Sequence, residues 1–128
     1  MEKLIGIIAI AAIALVAFVP AASAAKTHTA LTTDGVFFLP KPATLFTGDV
    51  ISVRKACANK RVVRIFRKRP GADQKIGTTK SKPGLTQKNL FFWSFEKPGL
   101  LPHGTYYSLI KATDRCSGAR SKGYVGPG

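Results

Sequence analysis

Arg61-Val62-Val63-Arg64-Ile65-Phe66-Arg67 is the clearest extended run in the chain. Its period of two puts Val63 and Ile65 on one face of an extended chain and Val62, Arg64 and Phe66 on the other. Val63 and Ile65 are assigned to the core. Arg69-Pro70-Gly71-Ala72-Asp73 then forms a turn, because proline presets φ and glycine tolerates φ above zero. A strand over 75–79 should return beside the first.

Outward from this hairpin, short extended runs recur between turn signals, and no run carries apolar residues at helical spacing over a useful length. The chain should therefore be nearly all β. A strand over 36–39, closed by Pro40 and Pro42, suits a sheet edge because proline cannot donate to a ladder. Over 49–53, Ile51 and Val53 make one side apolar, with Val50 and Ser52 on the other. Over 90–96, Phe91, Trp93 and Phe95 alternate with Phe92, Ser94 and Glu96, and the aromatic triple is expected to fill the core rather than stack on carbohydrate. Over 105–112, Tyr106, Ser108 and Ile110 share one face, and Tyr107 and Leu109 the other. A last strand spans 120–125, before a Gly-Pro-Gly tail at 126–128.

These seven runs match the count and spacing of an all-β, Ig-like Greek-key β-sandwich over 35–125, with a transthyretin-like sandwich fitting almost as well. Residues 25–34 are expected to be a flexible lead-in. Cys57 precedes the third strand and Cys116 follows the sixth; in such a sandwich these strands are antiparallel neighbours, so the two loops meet at one pole and a disulfide is natural there. Closing that loop of about 60 residues would contribute about 4 kcal/mol in the chain-entropy model. Residues 1–24 read as a secretory signal peptide, with an apolar run ending at Pro20 and Ala22-Ser23-Ala24 as cleavage site, which places the domain outside the cell. An uncleaved membrane anchor is the rival reading. It is disfavoured because the run is shorter than the roughly 20 residues a spanning helix needs.

Gly48-Asp49 at a strand start, Cys57, the 61–67 strand, Arg69-Pro70-Gly71-Ala72-Asp73, Ile76-Gly77-Thr78, Gly104-Thr105-Tyr106-Tyr107, and Cys116 with Ala119-Arg120-Ser121 together form a pattern. It resembles Ig-like repeats of secreted actinobacterial proteins, which are similar to fibronectin type III and carboxypeptidase-regulatory-like sandwiches. The resemblance implies a fold and a compartment. It implies no activity, such modules serving as spacers, adhesive units or accessory domains. Here 83–89 departs from it, making a longer approach to the aromatic strand.

The formal net charge is +14, and it lies wholly beyond the leader, where Glu2 offsets Lys3. Basic residues concentrate at Arg54, Lys55, Lys60, Arg61, Arg64, Arg67, Lys68 and Arg69, with no acid among them. Alternation sets Arg61 and Arg67 on the Val63 side at the ends of the strand and Arg64 on the outer face. With Lys75, Lys80, Lys82 and Lys88 on the neighbouring hairpin, a basic sheet surface follows, to which Phe66 adds a stacking plate. The alternative is a solvated outer face whose charges discourage edge pairing.

No cofactor and no metal site are expected, since His28 and His103 stand apart from the cysteines. Asp34, Asp49, Asp73, Glu96 and Asp114 fall at turns or strand ends, and no pair of them reads as a catalytic acid and base. Leu101-Pro102-His103-Gly104-Thr105 differs from a Leu-Pro-x-Thr-Gly wall-sorting signal in the order of its last two residues. The reading is thus a secreted, non-enzymatic module acting by protein or glycan contacts. Its alternative is a cationic protein that binds polyanions or anionic membranes through the basic face. Partners would be an anionic envelope polymer, a polysaccharide or a protein, with no specific nucleic acid, and a membrane only through an uncleaved leader or weak electrostatics.

Overall fold

The computed structural model describes residues 25–84 and 90–127. The expected leader at 1–24, Lys88, and most of the long approach to the aromatic strand lie outside the described residues. Among the described residues the order is β1 (Ala30–Leu31), β2 (Gly35–Leu39), β3 (Ala43–Ile51), α1 (Lys55–Ala58), β4 (Val62–Arg67), β5 (Gln74–Lys80), β6 (Lys82–Pro83), β7 (Phe91–Pro98), β8 (Gly104–Ile110), β9 (Ala119–Arg120) and β10 (Tyr124–Gly126). The chain is mostly β, as its alternation requires, and α1 is a single turn.

Two antiparallel sheets form. In the first, β1 and β2 lie in succession along one edge of β3, which pairs on its other side with β7, and β7 with β6. In the second, β5 pairs with β4 and β4 with β8, whose far edge carries β9 and then β10. Seven expected runs become ten strands among the described residues. The last expected strand splits where Ser121 Oγ turns to accept from Ser108 N at 2.9 Å, and β1 and β6 are additions.

The core takes side chains from both sheets: Phe46, Val50 and Trp93 from the first, and Val63, Ile65, Tyr106 and Ile110 from the second. Val63 and Ile65 are fully buried, as their alternation predicts. The aromatic triple also turns inward, with Phe91 and Trp93 buried and Phe95 packed against the cluster. Phe46 meets Tyr106 edge to face at 5.3 Å between ring centroids, so aromatic contact joins the two layers.

Three expectations are corrected. The apolar side read over 49–53 is the outer one: Val53 is 95% exposed and Ile51 51%, whereas Val50 is buried. The strand begins at Ala43, and Thr44, Phe46, Gly48 and Val50 set its inward phase, which a run read from Asp49 does not contain. Residues 25–34 are not a free lead-in. Thr29 and Leu31 are buried, β1 pairs with β3, and Thr27 bridges Cys116. The cause is backbone satisfaction: Thr27 N donates to Arg115 O at 2.9 Å and Ser117 N to Thr27 O at 2.8 Å. Finally, Gly126 belongs to β10, opposite Gly104, rather than to a tail.

The disulfide forms as the loop geometry requires. Cys57 in α1 and Cys116 in the loop after β8 join at one pole, with 5.4 Å between their Cα atoms, across a sequence separation of 59. Among the described residues no helix is long and apolar enough to cross a membrane.

Candidate functional site

The strands disperse the basic block that the sequence holds together. Arg54, Lys55 and Lys60 are exposed around α1 at the disulfide pole, and Lys68 and Arg69 are exposed at the opposite pole, in the turn leading to β5. Arg64 stands half-buried between them on the outer face of β4. Arg67 is also half-buried, but pairs across β4 and β8 with the core residue Tyr106 and lies against Gly104 with its Nε unpartnered. It adds little to an outer face.

Arg61 leaves the surface set altogether. It is 6% exposed, and its guanidinium is fixed by four hydrogen bonds. Nη1 donates to Thr29 Oγ1 at 3.2 Å and Cys57 O at 2.8 Å; Nη2 donates to Lys111 O at 3.0 Å and Ser117 O at 3.1 Å. A charge at the inward end of a strand is tolerated because these oxygens replace its water. Burial still pulls its pKa below the usual arginine value. Its role is to tie β4 to the N-terminal segment and to the Cys116 loop.

On the outer side of the second sheet lies a row of cations packed over two rings, half-buried Phe66 and buried Tyr107. Register places Phe66 opposite Tyr107, and their rings stack at 5.4 Å with 19° between planes. The Arg120 guanidinium lies over the other end of this row, 4.1 Å from the Tyr107 ring centroid. Lys75 is opposite Phe66 on β5, and Arg64 is opposite Leu109, itself opposite Arg120. Lys80 is exposed beyond Val62, its partner across the ladder, while Lys82 belongs to the first sheet, 6.0 Å from the Phe92 ring.

One acid meets this row. Tyr107 Oη donates to Asp73 Oδ2, and Arg69 N donates to Asp73 Oδ1 at 3.0 Å. These two bonds hold the Asp73 carboxyl below its usual value, and the same carboxylate pushes the Tyr107 hydroxyl up. Asp73 therefore serves to close the turn and fix Tyr107 under Arg120. Among the described residues the ion pair is Lys41 with Glu96, at 2.8 Å on the first sheet, so the cations of the outer row have no carboxylate ion-pair partner there.

Sequence reasoning found Arg64 and Phe66 but missed Arg120 and Lys111. Tyr107 was legible as outward-facing. Its meeting with Phe66 depends on the pairing of β4 with β8, which no local signal fixes. No family model matches the chain, and no curated protein matches it.

Proposed function

We propose that this is an exported, non-enzymatic binding module on an Ig-like Greek-key sandwich, whose contact surface is the outer face of β5, β4, β8 and β9 and whose partners are anionic polymers outside the cell. The observation that carries the reading is the Arg120–Tyr107–Phe66 stack, framed by Arg64 and Lys75. Guanidinium groups bind phosphate, sulfate or carboxylate oxygens through paired hydrogen bonds, and stacking on a ring fixes the direction in which they point. Half-buried Phe66 beside them offers one partly exposed ring, while Tyr107, buried beneath Arg120, holds that guanidinium in place. Of the two readings the sequence offers, polyanion contact is the one this surface favours over uncharged protein or glycan contact.

The strand order supports the Ig-like assignment. With β1 and β2 as one edge strand, the sheets run A-B-E-D and C′-C-F-G in immunoglobulin lettering. Tyr106, early in β8, donates its hydroxyl to Pro102 O four residues upstream, which is the arrangement of a tyrosine corner. The disulfide differs, since it closes a pole instead of crossing the core. Export is supported by the leader pattern and accords with the disulfide. The resemblance to secreted Ig-like repeats points the same way.

The test is retention of the purified protein on an immobilised sulfated polysaccharide over a salt gradient, beside a basic protein of matched size and charge. Arg120→Ser with Lys75→Ser should elute earlier by more than Lys26→Ser with Lys97→Ser, which removes the same charge elsewhere. Equal shifts for the two pairs would reduce the binding to net charge and reject the face.

A further inference from the structure

The β4–β8 ladder reaches only to Arg64 opposite Leu109. Towards the disulfide pole the ladder is not continued beyond that pair, and a cleft of about 250 Å³ lies there. Lys60, Arg61, Arg64 and Lys111 line it together with Ile110 and Thr113, and no carboxylate does. Four cationic residues from the facing ends of the paired strands β4 and β8 thus line one concave space.

The floor is rigid. The four Nη hydrogens of Arg61 are all committed to protein oxygens, so its charge is fixed in place, and among the described residues its Nε–H has no partner. None of those oxygens belongs to a carboxylate, and a buried cation without a counter-charge is costly. The rim is set by backbone strain. Lys60 takes φ +55°, a left-handed conformation uncommon outside glycine. It is held there because Lys60 N donates to Ser81 O at 3.0 Å and Arg61 N to Ser81 Oγ at 2.9 Å, while buried Ser81 Oγ donates to Ala58 O at 2.6 Å. The same clamp fixes the start of β4 and so the direction of the Arg61 side chain towards its four acceptors beside the cleft.

We propose that this cleft binds a single tetrahedral oxyanion group, the phosphate or sulfate ester of an anionic chain. Arg61 supplies fixed charge at the floor, and Arg64, Lys60 and Lys111 supply hydrogen-bond donors at the rim. A compact group with oxygens in several directions matches donors converging from both strands, whereas a planar carboxylate meets fewer of them. Arg64 belongs to both cleft and outer row, so a chain whose ester group is seated here continues along Phe66 and Arg120. The inference rests on the proposed anion-binding face but is separable from it.

The experiment titrates the purified oxidised protein with inorganic phosphate, then sulfate, then acetate, at constant ionic strength, following backbone amide shifts. Saturable shifts centred on Lys60, Ser81 and Lys111 are expected with phosphate or sulfate, and weaker ones with acetate; whichever of the two binds tighter names the ester. Lys60→Ser with Lys111→Ser should weaken binding by about tenfold or more, with Lys122→Ser unchanged and all spectra otherwise native. Shifts that rise without saturation, spread over all basic residues, or match those with acetate would overturn the cleft. Saturable phosphate binding with merely charge-governed column retention would reject the face alone. Specific retention without saturable binding would reject the cleft alone.

Discussion

The guanidinium of Arg61 donates to the carbonyl oxygen of Cys57 at 2.8 Å, so the buried cation is bonded to the very residue whose sulfur closes the disulfide. Of its other three bonds, one reaches Thr29 Oγ1 and two reach Lys111 O and Ser117 O, on either side of Cys116 in sequence. One polar knot and one covalent link therefore secure the same loop.

Arg61→Met should lower stability by about 3 kcal/mol, because removing the donor leaves buried carbonyl oxygens unpaired while the side-chain volume stays similar. Urea denaturation checks this. Arg61→Lys should recover only part of the loss, since a single ammonium cannot span four acceptors set by a planar fork. Full recovery by lysine would mean that charge alone matters.

Cys57→Ser should cost about 2–5 kcal/mol. Combined with Arg61→Met, the loss should be less than the two single losses added, because each change frees the loop the other holds. Strict additivity in the double-mutant cycle would separate the two.

Gly48→Ala should destabilise by about 1–3 kcal/mol. A Cβ there would overlap Thr32 O and stand 2.5 Å from Trp93 Nε1, atoms already joined by an indole hydrogen bond of 3.0 Å. Trp93 is the chain's single tryptophan, so its emission reports this corner directly. The variant's native emission should shift to longer wavelength as water reaches the indole.

Asp73→Asn should act with a pH dependence set at the acid end by Asp73 and at the alkaline end by Tyr107. The Asp73 carboxyl lies below its ordinary 3.8 in the folded chain, so its stabilisation is full above 3.8 and is lost as pH falls through the lower folded value. The Tyr107 hydroxyl lies above its ordinary 10.0, so its share is full below 10.0 and is lost as pH rises through the higher folded value. Melting temperatures of the two proteins should differ most between these limits, converge below the acid one, and differ less above the alkaline one, where the Arg69 N bond to Asp73 remains.

Asp49→Asn should act in the opposite sense. Burial, then Asp34, raises the Asp49 carboxyl above 3.8, so its charge costs stability at neutral pH and the cost is relieved as pH falls through the raised value. The variant should melt higher at neutral pH and match the parent in acid.

Much of the architecture was legible where a strand carries its own phase. The alternation at 61–67 and the aromatic triple both fix inward faces without reference to any partner strand. The cysteine pairing followed from strand order alone. Val50 was misread because its phase is set upstream, by Phe46. Arg61 was misread because charge usually signals exposure, although its place on the Val63 side already pointed inward. The outer row was only half legible: Arg64 and Phe66 share one strand, whereas Arg120, Tyr107 and Lys111 join them through a register closed over some 40 residues of intervening chain.

Thr27, where the described chain is first pinned, sits beside Cys116, whereas Gly126 leaves from beside Gly104 at the far end of β8. The chain thus enters at one pole and exits at the other. A pull applied through its two ends runs along the strands, loading β1 against β3 and β10 against β8 in shear, so that several ladder bonds must yield together rather than one after another.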